Sequence, residues 1–169
     1  MRKLGLAWNC LGPAGAAALA RGCWPALAEL DLSGNNLGAE GAAAVTGAHM
    51  PKLQSLGLES NYLGPIGAAN LKLAWPGLQT LYINELGAEG AAALAEVRLP
   101  MLNKLYCDFN NFGVLGATAL TAAAWDRLQE LDLRLIDIGD EGAAALTARW
   151  PGLKLPPQHA AAGLPWILL

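Results

Sequence analysis

The stretch LAELDLSGNNLGAEGAAAVTGAHMP, residues 27–51, holds a complete structural instruction in 25 residues. Leucine alternates with polar residues across Leu30, Asp31, Leu32 and Ser33, and a period of two puts the leucines on one side of a short strand and Asp31 and Ser33 on the other. Asn35 follows where the chain must leave the strand, and its side chain can pair with backbone groups that the turn leaves open. Gly38 and Gly41 let the backbone turn tightly and approach a neighbour. A run of small residues, Ala42, Ala43, Ala44 and Val45, then predicts a short helix. Met50 closes it with a large apolar side chain, and Pro51 blocks its continuation.

The same phrase recurs along the chain. Copies start at Met1, Leu27, Leu53, Leu78, Leu102 and Leu128, at spacings of 26, 26, 25, 24 and 26 residues. A seventh begins at Leu153 and dissolves into Leu155, Pro156 and Pro157. Self-similarity at such a period is the signature of a stacked array, in which each unit buries its apolar face only against its neighbours. Asn9, Asn35 and Asn61 would form a ladder. Trp24, Met50, Trp75, Leu99, Trp125 and Trp150 would plug the helix ends, with Pro25, Pro51, Pro76, Pro100 and Pro151 after them. The pattern L-x-x-L-x-L-x-x-N-x-L-G-x-x-G-A-x-x-L resembles leucine-rich repeats, and its L-G-x-x-G-A-x-A-L part resembles the ribonuclease-inhibitor-like and Gly-Ala-Leu-Ala subclasses. The resemblance spans about residues 1–155. It implies an α/β fold, a curved solenoid with a parallel β-sheet on the concave face and short helices on the convex face. It also implies a role in protein recognition. Residues 156–169 form a Pro/Ala-rich apolar tail, whose Leu164, Pro165, Trp166, Ile167, Leu168 and Leu169 suit either a cap over the last repeat or a segment that docks on another subunit.

Composition narrows the function. Apolar residues make up 54% of the 169 and charged ones only 15%, against roughly 25% in ordinary soluble domains. Either alanine-rich helices form a bland surface, or another protein covers part of it. A net charge of −3 and no basic run longer than Arg2-Lys3 offer nothing general to a phosphate backbone, so nucleic acid is not an expected partner. Cys10, Cys23 and Cys107 are an odd set without paired spacing, which points to free thiols in a reducing compartment, hence an intracellular location, cytoplasmic or organellar. Cys107 occupies a core leucine position. Prolines, glycines and polar turns interrupt every apolar run before the roughly 18–20 residues that span a bilayer, so no membrane-spanning segment is expected. The N-terminus imitates a signal peptide through Arg2, Lys3 and Ala18-Leu19-Ala20, but it also keeps the repeat register, with Asn9, Gly12 and Pro13 interrupting the apolar stretch.

Chemistry is sparse. His49 and His159 lack Cys, Asp or Glu at metal-ligand spacing, and no nucleophile elbow, phosphate loop or dinucleotide fingerprint occurs. The repeated Gly-Ala-Glu-Gly and Gly-Asp-Glu-Gly segments at 38–41, 87–90 and 139–142 follow the repeat period and are expected to be structural turns. No catalytic residue, metal or cofactor is expected, and the protein is not expected to be an enzyme.

The displayed face is more informative. Three outward columns run across the strands: Lys3, Glu29, Ser55, Thr80, Lys104, Glu130; Gly5, Asp31, Gly57, Tyr82, Tyr106, Asp132; and Ala7, Ser33, Glu59, Asn84, Asp108, Arg134. Tyr82 and Tyr106 are adjacent, with Phe109 beyond them and Glu59, Asp108, Asp132 and Arg134 around them. This set is the candidate protein-binding site, suited to a partner with basic and apolar groups, although the tyrosines also suit simple cross-strand stacking. Two breaks interrupt the pattern. Asn84-Glu85 replaces the longer loop Glu59-Ser60-Asn61-Tyr62, leaving the ladder asparagine displaced or lost, and Ile136 occupies the same position in the last repeat. Three roles fit: a non-catalytic interaction module or scaffold, an accessory subunit embedded in a large assembly that can be organelle-membrane-associated, or a piece of a longer repeat receptor or regulator.

Overall fold

The computed structural model describes residues 1–71, 75–134 and 137–153; the tail and Ile136 lie outside these. Among the described residues, six three-residue strands alternate with six helices: β1 Lys3–Gly5, α1 Gly12–Ala20, β2 Glu29–Asp31, α2 Gly38–Thr46, β3 Ser55–Gly57, α3 Gly64–Asn70, β4 Thr80–Tyr82, α4 Gly87–Ala95, β5 Lys104–Tyr106, α5 Gly113–Leu120, β6 Glu130–Asp132 and α6 Gly139–Arg149. The strands make one sheet in chain order, every neighbouring pair parallel. Consecutive strands can lie side by side in parallel because a helix carries the chain back between them.

The register reproduces the repeat. Leu4, Leu30, Leu56, Leu81, Leu105 and Leu131 align as the central row, and all but Leu4 in the first strand are buried. They join Leu27, Leu32, Leu37, Val45, Leu53, Leu58 and their equivalents in a continuous core in which Cys107 is fully buried. Burial raises the Cys107 thiol well above its ordinary range, so it behaves as a small apolar side chain. The plugs sit as the sequence predicts: Met50, Trp75, Leu99, Trp125 and Trp150 are buried, and Trp24 is half-buried. The Trp125 and Trp150 rings lie 6.4 Å apart at 11°, and their indole N–H groups donate to the carbonyls of Val97 and Trp125, at 3.0 and 3.1 Å.

Glycine does two separate jobs here. Gly38 and its equivalents open each helix at positive φ, between 57° and 67°, a conformation that costs L side chains energy. Gly41 and its equivalents instead face inward within the helix, where a Cβ on Gly116 would lie 2.7 Å from the Phe112 Cβ and 3.2 Å from the Ala88 Cα. The Gly-Ala-Glu-Gly segments are therefore the first turns of helices rather than free-standing turns.

Asparagine joins the repeats. Asn61 Oδ1 accepts from the amides of Asn35 and Leu37 at 3.0 and 3.3 Å, while its Nδ2 donates to the carbonyls of Leu32, Leu58 and Glu59. Its carbonyl accepts from Gly38 N–H at 2.9 Å, serving a helix start that no side chain of its own repeat caps. Asn35 repeats this pattern one unit earlier.

Candidate functional site

Side chains on the strand face away from the helices form two of the expected columns in the expected register, from Lys3 to Glu130 and from Gly5 to Asp132. Tyr82 and Tyr106 stack with ring centroids 4.6 Å apart and planes within 6°, and the Tyr106 hydroxyl donates to Glu130 Oε1 at 2.9 Å. Burial, followed by Glu130, raises the Tyr106 phenol above its ordinary range, so it stays a neutral donor.

The third column departs from expectation. Ser33 and Asn84 are buried rather than displayed. Asn84 is recruited into the ladder, its Oδ1 accepting from the Ser60 amide at 2.7 Å, while Glu85 Oε2 accepts from the Tyr62 amide at 3.2 Å. With the loop two residues short, these two side chains divide the accepting work that Asn61 does alone one repeat earlier. The ladder is displaced there, and Asn110 resumes it, accepting from Leu86 N at 2.6 Å and donating to the carbonyls of Ile83 and Cys107. Asn110 stands eight residues after its repeat start Leu102, as Asn61 does after Leu53, so its place in the ladder was already legible in the repeat spacing.

Charge on this face divides into paired and unpaired groups. Lys3 meets Glu29, Lys104 meets Glu130 and Arg134 meets Asp132, each at 2.8 Å. Asp132 thus serves Arg134, whose own amide it also accepts, and is largely withdrawn from display. Asp31, Glu59 and Asp108 have no ion-pair partner among the described residues. Glu59's carboxyl is raised above its ordinary value, first by burial, then by Asp108 and Asp31, against a smaller opposing hydrogen bond from Ser33. Adjacent carboxylates without a base leave a local negative potential.

The structure adds Trp8, Asp31, Ser33 and Glu85, which line one cavity of about 550 Å³ with Glu59, Asp108 and Phe109. Trp8 and Phe109 are the exposed aromatics of this rim, at 73% and 63%. The Trp8 ring lies over Gly34, where a Cβ would meet it at 2.3 Å. Its signal was available in the repeat spacing, which sets Trp8 and Gly34 in one column as a large residue beside an absent one. Among the described residues no cluster of three or more His, Cys, Asp or Glu could hold a metal ion, and no helix is long and apolar enough to cross a membrane.

A family model described as Leucine Rich repeat matches residues 1–20, 27–45 and 128–146. The chain is a leucine-rich repeat protein. The matched segments are its first, second and last complete repeats, so the match brackets the array, and the parallel sheet with its alternating helices is the α/β repeat solenoid that this assignment requires. Leucine-rich repeats generally mediate protein–protein interaction and are typically non-catalytic. No curated protein matches the chain.

Proposed function

We propose that this leucine-rich repeat protein is a non-catalytic interaction module that binds a protein partner through the open face of its sheet, on the side opposite the helices. The observation that carries this is the stacked Tyr82–Tyr106 pair set beside unpaired Asp31, Glu59 and Asp108: rigid aromatic area next to uncompensated charge is the chemistry of a binding hot spot. Six strands about 4.8 Å apart span roughly 24 Å, enough to seat an extended segment or a helix. We place it in a reducing compartment, where three free thiols persist.

A second use, as a subunit built into a larger assembly, draws on a different surface. Ile66 in α3 and Leu115 in α5 stand 70% and 79% exposed, and they offer apolar area to a partner on the helical side. Site-specific photo-crosslinking separates the two. A crosslinker at Thr80 on the sheet is expected to capture a protein partner in cells while one at Thr118 on α5 does not. Capture at Thr118 alone would shift the function to the helical side.

A further inference from the structure

The open face has a step in its relief. Tyr82 stacks on Tyr106 at 4.6 Å, close to the strand spacing of about 4.8 Å, so the stack runs across the strands. The other face of the Tyr82 ring therefore looks toward β3, where its register partner is Gly57. Glycine leaves that place in the row without a side chain. A cavity of about 400 Å³ opens there, bounded by Tyr82, Gly57, Asp31, Ser33 and Glu59 among others. Polar atoms reach into it: a Cβ on Gly57 would lie 2.9 Å from Asp31 Oδ1 and 3.1 Å from Ser33 Oγ.

This slot has the Tyr82 ring on one side and the Asp31 and Glu59 carboxylates along its lining. A third aromatic ring would stack but leave Asp31 and Glu59, which among the described residues accept only from Ser33, desolvated without a cationic partner. An ammonium group would pair but could not lie flat on the ring. A guanidinium is planar, weakly hydrated, stacks on aromatic faces and carries a fork of donors matched to carboxylates. The bases of the face are already engaged: Lys3, which also borders the cavity, is held by Glu29, and Lys104 by Glu130. Charge complementarity must come from outside.

We infer that the slot over Gly57 receives an arginine side chain of the protein partner, its guanidinium extending the Tyr82–Tyr106 stack and donating to Asp31 and Glu59. This rests on the open-face binding proposed above. Gly57 has no positive φ, so Gly57→Thr fills the slot without straining the backbone, its Cβ pushing aside the Asp31 carboxylate oxygen 2.9 Å away, and threonine suits a strand.

The test selects random dodecapeptides displayed on phage against the whole chain, then measures synthetic peptides from the selection by calorimetry on variants whose fold is checked by circular dichroism. Peptides that lose affinity on Tyr106→Ala report the open face. The inference expects these to share an arginine whose change to lysine weakens binding at least tenfold, with a similar loss on Gly57→Thr. Should Gly57→Thr fail to fold, the double change Asp31→Asn with Glu59→Gln gives the same readout. Open-face peptides indifferent to arginine-to-lysine exchange and to the slot variants would overturn the arginine slot while sparing open-face binding. Selected peptides that all ignore Tyr106→Ala would overturn both.

Discussion

Asn61 concentrates in one side chain the bonds that hold two consecutive repeats in register. It is fully buried, accepts two amides of the preceding repeat and donates to three carbonyls. Removing it leaves buried amides without partners, which costs more than the net value of the bonds themselves. Asn61→Ala is expected to lower stability by about 2–4 kcal/mol in urea denaturation; a loss under about 1 kcal/mol would mean that water replaces the side chain. Glu59 points the other way. Its folded-state carboxyl titrates above the ordinary 4.5, so the folded state binds the proton more tightly, and stability contributed by this group grows as pH falls through the raised value and is lost as pH rises above it. Glu59→Gln should therefore raise the melting temperature at pH 7, and the gain should shrink toward pH 4.5. Scanning calorimetry at the two pH values checks this. Such a gain in stability alongside a loss of binding would mark the unpaired carboxylate as kept for function.

At the scale of the element, helices seven to eleven residues long are too short to persist alone and depend on packing against their neighbours. Each is opened by a glycine at positive φ, and α2 to α6 lie close to the preceding helix through a second, inward glycine. The second position is the more revealing. Alanine ordinarily favours a helix interior over glycine by roughly 1 kcal/mol, yet a Cβ on Gly116 would press on the Phe112 Cβ and the Ala88 backbone, neither of which can swing aside. Gly116→Ala is accordingly expected to destabilise by about 1–3 kcal/mol. Gly77→Ala is the control: its Cβ would meet only the Leu53 carbonyl at an ordinary 3.6 Å, with no positive φ, so it should be neutral or stabilise by up to about 1 kcal/mol. Paired thermal melts decide it, and equal effects at the two positions would remove the steric account.

Across the array, stability is a chain of nearest-neighbour interfaces, since among the described residues every strand and helix meets only the adjacent copies. Trp125 bridges the last of them, stacked on Trp150 and bonded to Val97. Trp125→Ala is expected to cost about 3–5 kcal/mol and, more tellingly, to free β6 and α6 before the rest. Hydrogen exchange should then show protection lost in residues 130–149 while β1 to β3 remain slow. Uniform loss along the array would mean that it unfolds as one cooperative block.

The fold was legible because its determinants are periodic and local. Alternating leucines, a ladder asparagine, paired glycines and a closing Trp-Pro recur closely enough that β2 and α2 could be placed from residues 27–51, and the strand register followed by counting. The candidate site was legible only in outline. Columns showed that Tyr82 and Tyr106 are neighbours, but not that Asp132 would be drawn to Arg134, that Asn84 and Glu85 would share one asparagine's bonds, or that Trp8 would lie over Gly34. Periodicity assigns a side chain to a face and a row. Which carboxylate finds a base, and which side chain turns inward to satisfy a backbone amide, depends on distances of a few ångströms between repeats about 25 residues apart in sequence, and only the folded chain brings those groups together.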